Sequence, residues 1–127
     1  MKVSLITPER RIFTDREAEE VQVPSRDGYL GILPDHFPLM GTLGVGILEL
    51  DGKDKYAVEG GFFQFERGEL IVLAKLAWRP EELKKKELKK EREKALEVLR
   101  TSSNPEEVER ASYQFTRASV FLTLFKA

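Results

Sequence analysis

The chain has 127 residues, 41% of them apolar and 34% charged, which suits one ordinary domain or two small ones and argues against wholesale disorder. Its 21 Lys plus Arg against 22 Asp plus Glu leave a formal net charge of −1, which argues against general nucleic-acid binding, because that needs a basic surplus to release counterions. Cysteine is absent and His36 is the sole histidine, so disulfides, thiol catalysis and thiolate zinc sites are excluded. No apolar run approaches the ~20 residues of a membrane span, and Met1 to Phe13 has no signal-peptide core. A cytosolic chain is expected, with any membrane association made through a partner.

In chain order, Val3 to Thr7, Val21 to Val23, Tyr29 to Leu33, Val45 to Leu50, Lys55 to Val58, Phe62 to Glu66 and Leu70 to Leu76 read as short strands. Asp27-Gly28, Asp51-Gly52, Gly60-Gly61 and Arg67-Gly68 punctuate them. Asp51-Gly52 between two apolar runs is a hairpin signal, since tight hairpin turns need positive φ. Strands at this spacing without intervening helices predict a β-sandwich or barrel. Phe13, Leu33, Ile47, Phe63, Phe65, Ile71 and Leu73 are the expected core. A core so thin would gain from a partner surface.

Pro80 divides the chain. Residues 1–79 carry 10 basic and 13 acidic groups and all nine glycines, while residues 80–127 carry 11 basic and 9 acidic groups and no glycine. Two abutting domains, 1–79 and 80–127, follow from that shift. Pro80-Glu81-Glu82 reads as a helix start, with the helix running to about Arg100. Thr101 to Pro105 breaks it, with Asn104 or Ser103 capping a second helix. Val108, Ala111, Phe115, Ala118, Leu122 and Phe125 repeat at helical spacing as the seam of an antiparallel pair. Pairing about the turn sets Leu99 near Val108, Ala95 near Ala111 and Leu88 near Ser119.

Two features of this pair stand out. Val120 to Phe125 is apolar nearly all round, a surplus that either the protein's own sheet or a partner must cover. The first helix also stacks like charges one turn apart, Lys86–Lys90–Lys94 and Lys85–Lys89, each pair costing a few tenths of a kcal/mol. That stripe is either a solvated face or a docking surface for an acidic partner.

Catalytic motifs are lacking. Gly41 to Gly46 has no lysine or following helix and reads as a strand-to-strand bend, not a phosphate loop. His36, between Pro34 and Pro38, has no nucleophile nearby and reads as a loop or interface residue.

The segments DGYLGILPDHFPLMGTLGVGILEL (27–50) and VEGGFFQFERGELIVLAKLA (58–77) resemble the epsilon subunit family of bacterial rotary, proton-translocating ATP synthases. The family pattern is a Gly-x-Φ-Gly-Φ-Φ-Pro-Gly-His-x-Pro loop, a Gly-Gly-Φ strand and a Val-Leu-Ala strand, with Φ apolar. The resemblance implies a flattened β-sandwich of about ten strands followed by a two-helix hairpin. It implies a non-catalytic central-stalk subunit on the cytoplasmic face of the bacterial inner membrane, coupling the gamma subunit to the c-ring. It further implies a hairpin that inhibits ATP hydrolysis at the alpha/beta catalytic head. By position, Arg26, Asp27 and Tyr29 belong to ring-facing loops, and His36 and Pro38 lie near the rotor interface. Lys85, Lys86, Lys89, Lys90 and Lys94 would meet acidic segments of the beta subunits, and Phe121, Leu122 and Phe125 would form a switchable apolar face.

The chain departs from the family at defined places. Asp35 replaces a glycine, Phe37 an alanine, and Tyr29 stands where an acidic ring-facing residue is common, so no ion pair is expected there. Relatives that bind regulatory ATP carry Leu-Asp-x-x-Arg-Ala, where this chain has Leu83-Lys84-Lys85-Lys86-Glu87-Leu88; no cofactor is expected at that place. The alternative to a rotor subunit is a free-standing β-sandwich adaptor that binds acidic proteins through its helices. A small hydrolase using Asp35 and His36 is a more distant alternative.

Overall fold

The computed structural model describes residues 1–125. Its strands are β1 (Lys2–Ile6), β2 (Arg11–Glu17), β3 (Val21–Ser25), β4 (Gly28–Ile32), β5 (Leu39–Thr42), β6 (Val45–Leu50), β7 (Asp54–Glu66) and β8 (Glu69–Trp78). They are hydrogen-bonded in the order β2-β1-β8-β7-β6-β3-β4, with β5 also on β7. The chain divides into two compact units, Met1–Pro80 and the part from Glu81 onward.

The register explains how a single ladder makes a sandwich. The first half of β7 pairs with β6, from Leu50↔Asp54 to Val45↔Glu59, and its second half pairs with β5, from Thr42↔Phe62 to Leu39↔Phe65. β8 follows β7 through both halves. One layer is therefore β2, β1, the first part of β8, the second part of β7, and β5. The other layer is β4, β3, β6, the first part of β7 and the end of β8. Each long strand supplies a segment to both layers, so eight continuous strands make the ten segments expected.

Gly60-Gly61, expected to separate two strands, lies inside β7 and bends it. Both residues have positive φ, 70° and 109°, and a Cβ on Gly61 would sit 2.0 Å from the Leu73 carbonyl oxygen. Only glycine fits there. The bend receives the corner between β5 and β6: Leu43 N–H donates to Gly61 O at 2.8 Å, and Gly60 N–H donates to Gly44 O at 3.1 Å. The other punctuators act as hairpin turns, with Asp51-Gly52 and Arg67-Gly68 both left-handed as two-residue hairpin turns require. The bend at Leu43-Gly44 also matches the reading of Gly41 to Gly46.

Val3, Leu5, Val21, Val23, Ile32, Leu48, Leu50, Val58, Phe63, Phe65, Leu70 and Val72 fill the space between the layers, with Phe13 and Leu39 packed against them. Ile47 is buried as expected, but Leu33 and Leu73 are 49% and 42% exposed. Strand alternation accounts for the difference at β8: once Leu70 and Val72 point inward, Ile71 and Leu73 must point out. At the edge, Arg16 of β2 bonds the Tyr56 hydroxyl and the Asp54 carboxylate, and its guanidinium lies 5.4 Å from the Phe13 ring centroid. That clasp ties one layer to the other.

Tyr29 closes the second layer where its ladder fails. β3 pairs with β6 only at Val21↔Leu50 and Gln22↔Glu49, and Pro24 has no N–H to continue. The Ile47 N–H on that side donates instead to the Tyr29 hydroxyl, 3.0 Å away. Gly46 permits the approach, because a Cβ there would lie 2.4 Å from Pro24 Cβ and 2.9 Å from the Tyr29 oxygen.

The second unit is an antiparallel pair, α1 (Lys85–Thr101) and α2 (Pro105–Leu122). Pro80–Glu82 forms a separate 3₁₀ turn, and Lys84 is extended at φ −114°, ψ 115°, so α1 starts five residues later than expected. Glu81 and Glu82 consequently do not share a helix with Lys85 and Lys86. Asn104 caps α2 as expected, accepting from Glu106 N–H and Glu107 N–H with Pro105 in the first turn. The seam holds Leu88 and Ala95 against Ala111 and Ala118, but its last fully buried residue is Phe121, not Leu122. The seam steps three residues from Ala118 where four were expected.

Tyr29→Phe should leave the Ile47 N–H unpaired and lower stability by about 1–2 kcal/mol, the cost of stranding a partly buried donor. Denaturant unfolding and amide exchange at Ile47 check this, with exchange expected to quicken first at Ile47; unchanged values for both would refute the role.

Candidate partner-binding surfaces

The outer face of β5, β7 and β8 is set by the same alternation. With Phe63 and Phe65 turned inward, Phe62 and Gln64 face out beside Leu73 and Ile71 of β8 and Thr42 and Met40 of β5. Two rows cross the strands: Thr42–Phe62–Leu73–Ile6 and Met40–Gln64–Ile71–Ser4. No residue of either row is ionisable, in a chain that is 34% charged. Met40 is 74% exposed and Phe62 60%, and they line an open concavity of about 460 Å³. The next row out, Glu66–Glu69–Lys2, is fully charged. An uncharged centre with a charged rim is how protein interfaces are built.

Sequence reading assigned Ile71 and Leu73 to the core and passed over Met40 and Phe62. The signal was present in Leu70-Ile71-Val72-Leu73 and Phe62-Phe63, where apolar residues do not alternate with polar ones. An unbroken apolar strand marks burial on both faces, and in an isolated chain one of those faces remains open.

The loop residues fall into two groups. Arg26 and Asp27 are exposed on the β3–β4 turn, held by Arg26 N–H to Thr42 O at 2.8 Å and by the Ser25 hydroxyl to Gly28 O at 2.5 Å. Tyr29 follows immediately, 59% exposed with its hydroxyl committed to Ile47. His36 and Pro38 lie beyond the other end of β4, a five-residue strand of about 17 Å. His36 donates from Nδ1 to Phe37 O at 2.7 Å, and its ring lies 4.7 Å from that of Phe37 and 6.1 Å from that of Phe65, edge-on. Asp35 is exposed, and among the described residues it makes no hydrogen bond to His36. Phe37 is 74% exposed, so the loop presents a large apolar ring to solvent.

On α1, Lys85, Lys86, Lys89, Lys90 and Lys94 are all exposed, and none makes an ion pair among the described residues. Among the described residues, then, no ion pair offsets their mutual repulsion. The expected apolar face is divided: Phe121 is fully buried, while Leu122 and Phe125 are half-buried beside Lys85, Lys89 and Arg92. Among the described residues there is no cluster of metal-binding side chains, and no helix is long and apolar enough to cross a membrane.

Comparison with known proteins assigns these features to a family. Residues 1–80 match the family described as ATP synthase, Delta/Epsilon chain, beta-sandwich domain. The chain is 35% identical over 125 residues to the ATP synthase epsilon chain of a Synechococcus species, covering 96% of this chain and 90% of that one. It is 32% identical over 120 residues to the ATP synthase epsilon chain of Desulforamulus reducens, covering 92% and 90%. Among solved structures, a chain of the Euglena gracilis mitochondrial ATP synthase assembly of OSCP, F1 and c-ring has the same fold, with a TM-score of 0.87 at 19% identity over 99% of this chain and 81% of that one. Carried by the sandwich match and by relatives aligned through the helices, the assignment is direct: the chain belongs to the ATP synthase epsilon chain family, as a non-catalytic subunit of a rotary ATP synthase.

Proposed function

We propose that this chain couples the gamma subunit to the c-ring as part of the central stalk, and that the uncharged outer face of β5, β7 and β8 is its grip on gamma. The two charge-free rows carry this reading. In a surface otherwise crowded with ions, Met40, Phe62 and Leu73 form an exposed apolar patch whose removal from water releases about 25 cal/mol per Å². The exposed turn Arg26-Asp27 meets the c-ring through polar contacts. Tyr29 props that turn through Ile47 and makes no ion pair with the ring. The complex then holds the chain at the cytoplasmic face of the bacterial inner membrane as a peripheral subunit.

The helical hairpin restrains ATP hydrolysis. Five unpaired lysines on one helix form a surface whose self-repulsion falls when acidic groups approach, and the acidic segments of the beta subunits in the alpha/beta head supply them. Mechanical coupling belongs to the sandwich, and regulation to α1 and α2. No regulatory nucleotide occupies Leu83–Leu88, where Lys84 and Glu87 reverse the charges that the nucleotide-binding motif carries.

Phe62→Glu combined with Leu73→Glu should leave the fold intact, because both side chains point to solvent, yet weaken binding to gamma at least about 30-fold by placing two charges in an apolar contact. Calorimetric titration of gamma with the full chain checks this; unchanged affinity would refute the proposed face. Truncation after Arg79 should keep the synthase coupled while raising its hydrolysis rate, whereas an unchanged rate would remove the inhibitory role. Millimolar ATP should leave the amide spectra of residues 80–120 unchanged, and shifts there would restore a nucleotide site.

A further inference from the structure

One side-chain cluster in the helical unit is used by neither surface. Arg117 of α2 donates from Nη1 to both carboxylate oxygens of Glu91 on α1, at 3.0 and 2.8 Å. Its guanidinium carbon lies 5.1 Å from the ring centroid of Phe121, one turn further along α2. The Arg117 and Glu91 side chains are 19% and 29% exposed, and Phe121 is fully buried. Along the chain Glu91 lies between the buried Leu88 and Ala95 of α1, and Arg117 between the buried Ala111 and Ala118 of α2.

The remaining seam makes this cluster decisive. Ala95, Ala111 and Ala118 are three of the five buried residues of α1 and α2, with Leu88 and Phe121 the other two. Alanines let helices approach closely, but each buries only a methyl group and forms no knob large enough to fix the register. An ion pair that is partly withdrawn from water behaves differently. It adds little net stability while intact, but it strongly penalises any arrangement that leaves one partner buried alone. Setting helix register is the best-supported use of such buried polar pairs.

We propose that Glu91–Arg117, backed by Phe121, is the register clasp of the hairpin, and that breaking it is the step that frees the two helices to leave their antiparallel pairing. This rests on the regulatory reading of the hairpin given above. With the clasp closed, Glu91 of α1 is fixed against Arg117 of α2 and the register is held. When it opens, the pair is held only by its apolar contacts, the buried ones being those of Leu88, Phe121 and three alanines.

The test uses Glu91→Arg, Arg117→Glu and the double exchange in the full-length chain, alone and assembled into the synthase. Each single variant should speed amide exchange across Ala111 to Ala118 about tenfold and change the hydrolysis rate of the assembled enzyme, and the double exchange should restore both to within about threefold. Glu91→Gln, which keeps the shape and one acceptor, should fall between. A double exchange no better than the sum of its singles would overturn the clasp. Altered exchange with an unaltered hydrolysis rate, in an enzyme that still responds to truncation after Arg79, would overturn its part in the switch. If truncation itself has no effect, the regulatory reading fails, and recovery of amide exchange in the isolated chain still decides whether the clasp exists.

Discussion

The bend at Gly60-Gly61 is the constraint on which the sandwich depends. A straight thirteen-residue strand would extend one layer and leave the other without a central member. By turning there, β7 gives β6 a partner before the bend and β5 one after it, and β8 follows. The carbonyl of Leu73 fills the space in which any side chain on Gly61 would sit. The bend also fixes the phase of the outer face: it starts the second half of β7 with Phe62 outward and Phe63 inward. The proposed contact surface for gamma and the folding of the core are thus consequences of the same two residues.

Much of this was legible in the sequence. The Asp51-Gly52 and Arg67-Gly68 turns, the Asn104-Pro105 helix start and the change in composition at Pro80 all rest on local chemistry, which the linear chain displays. What was missed depends on neighbours distant in sequence. Gly60-Gly61 looked like a turn because positive φ suits both a turn and a bulge, and only pairing with Leu43 and Gly44 distinguishes them. Ile71 and Leu73 looked like core because apolar character does not reveal which face of a strand is covered. Tyr29 looked like an open ring-facing side chain, while its hydroxyl is held by the unpaired amide of Ile47.

The helical unit follows a different logic. Its termini are well specified on one side and weakly on the other: Asn104 caps α2 with two hydrogen bonds, while Lys84 offers α1 no side-chain cap. Its seam holds three alanines beside Leu88 and Phe121, and the Glu91–Arg117 ion pair bridges the helices. A seam of this kind fits the two-state hairpin proposed above. The sandwich carries most of the large buried side chains.

Hydroxyl-radical footprinting of the full chain, free and bound to gamma, reads the outer face of β5, β7 and β8 directly. Met40 and Phe62 are exposed and readily oxidised, and Tyr113 on α2, also exposed, provides a comparison. The account predicts strong protection of Met40 and Phe62 on binding, with Tyr113 reacting as before. Equal reactivity of Met40 and Phe62 in the free and bound states would contradict it.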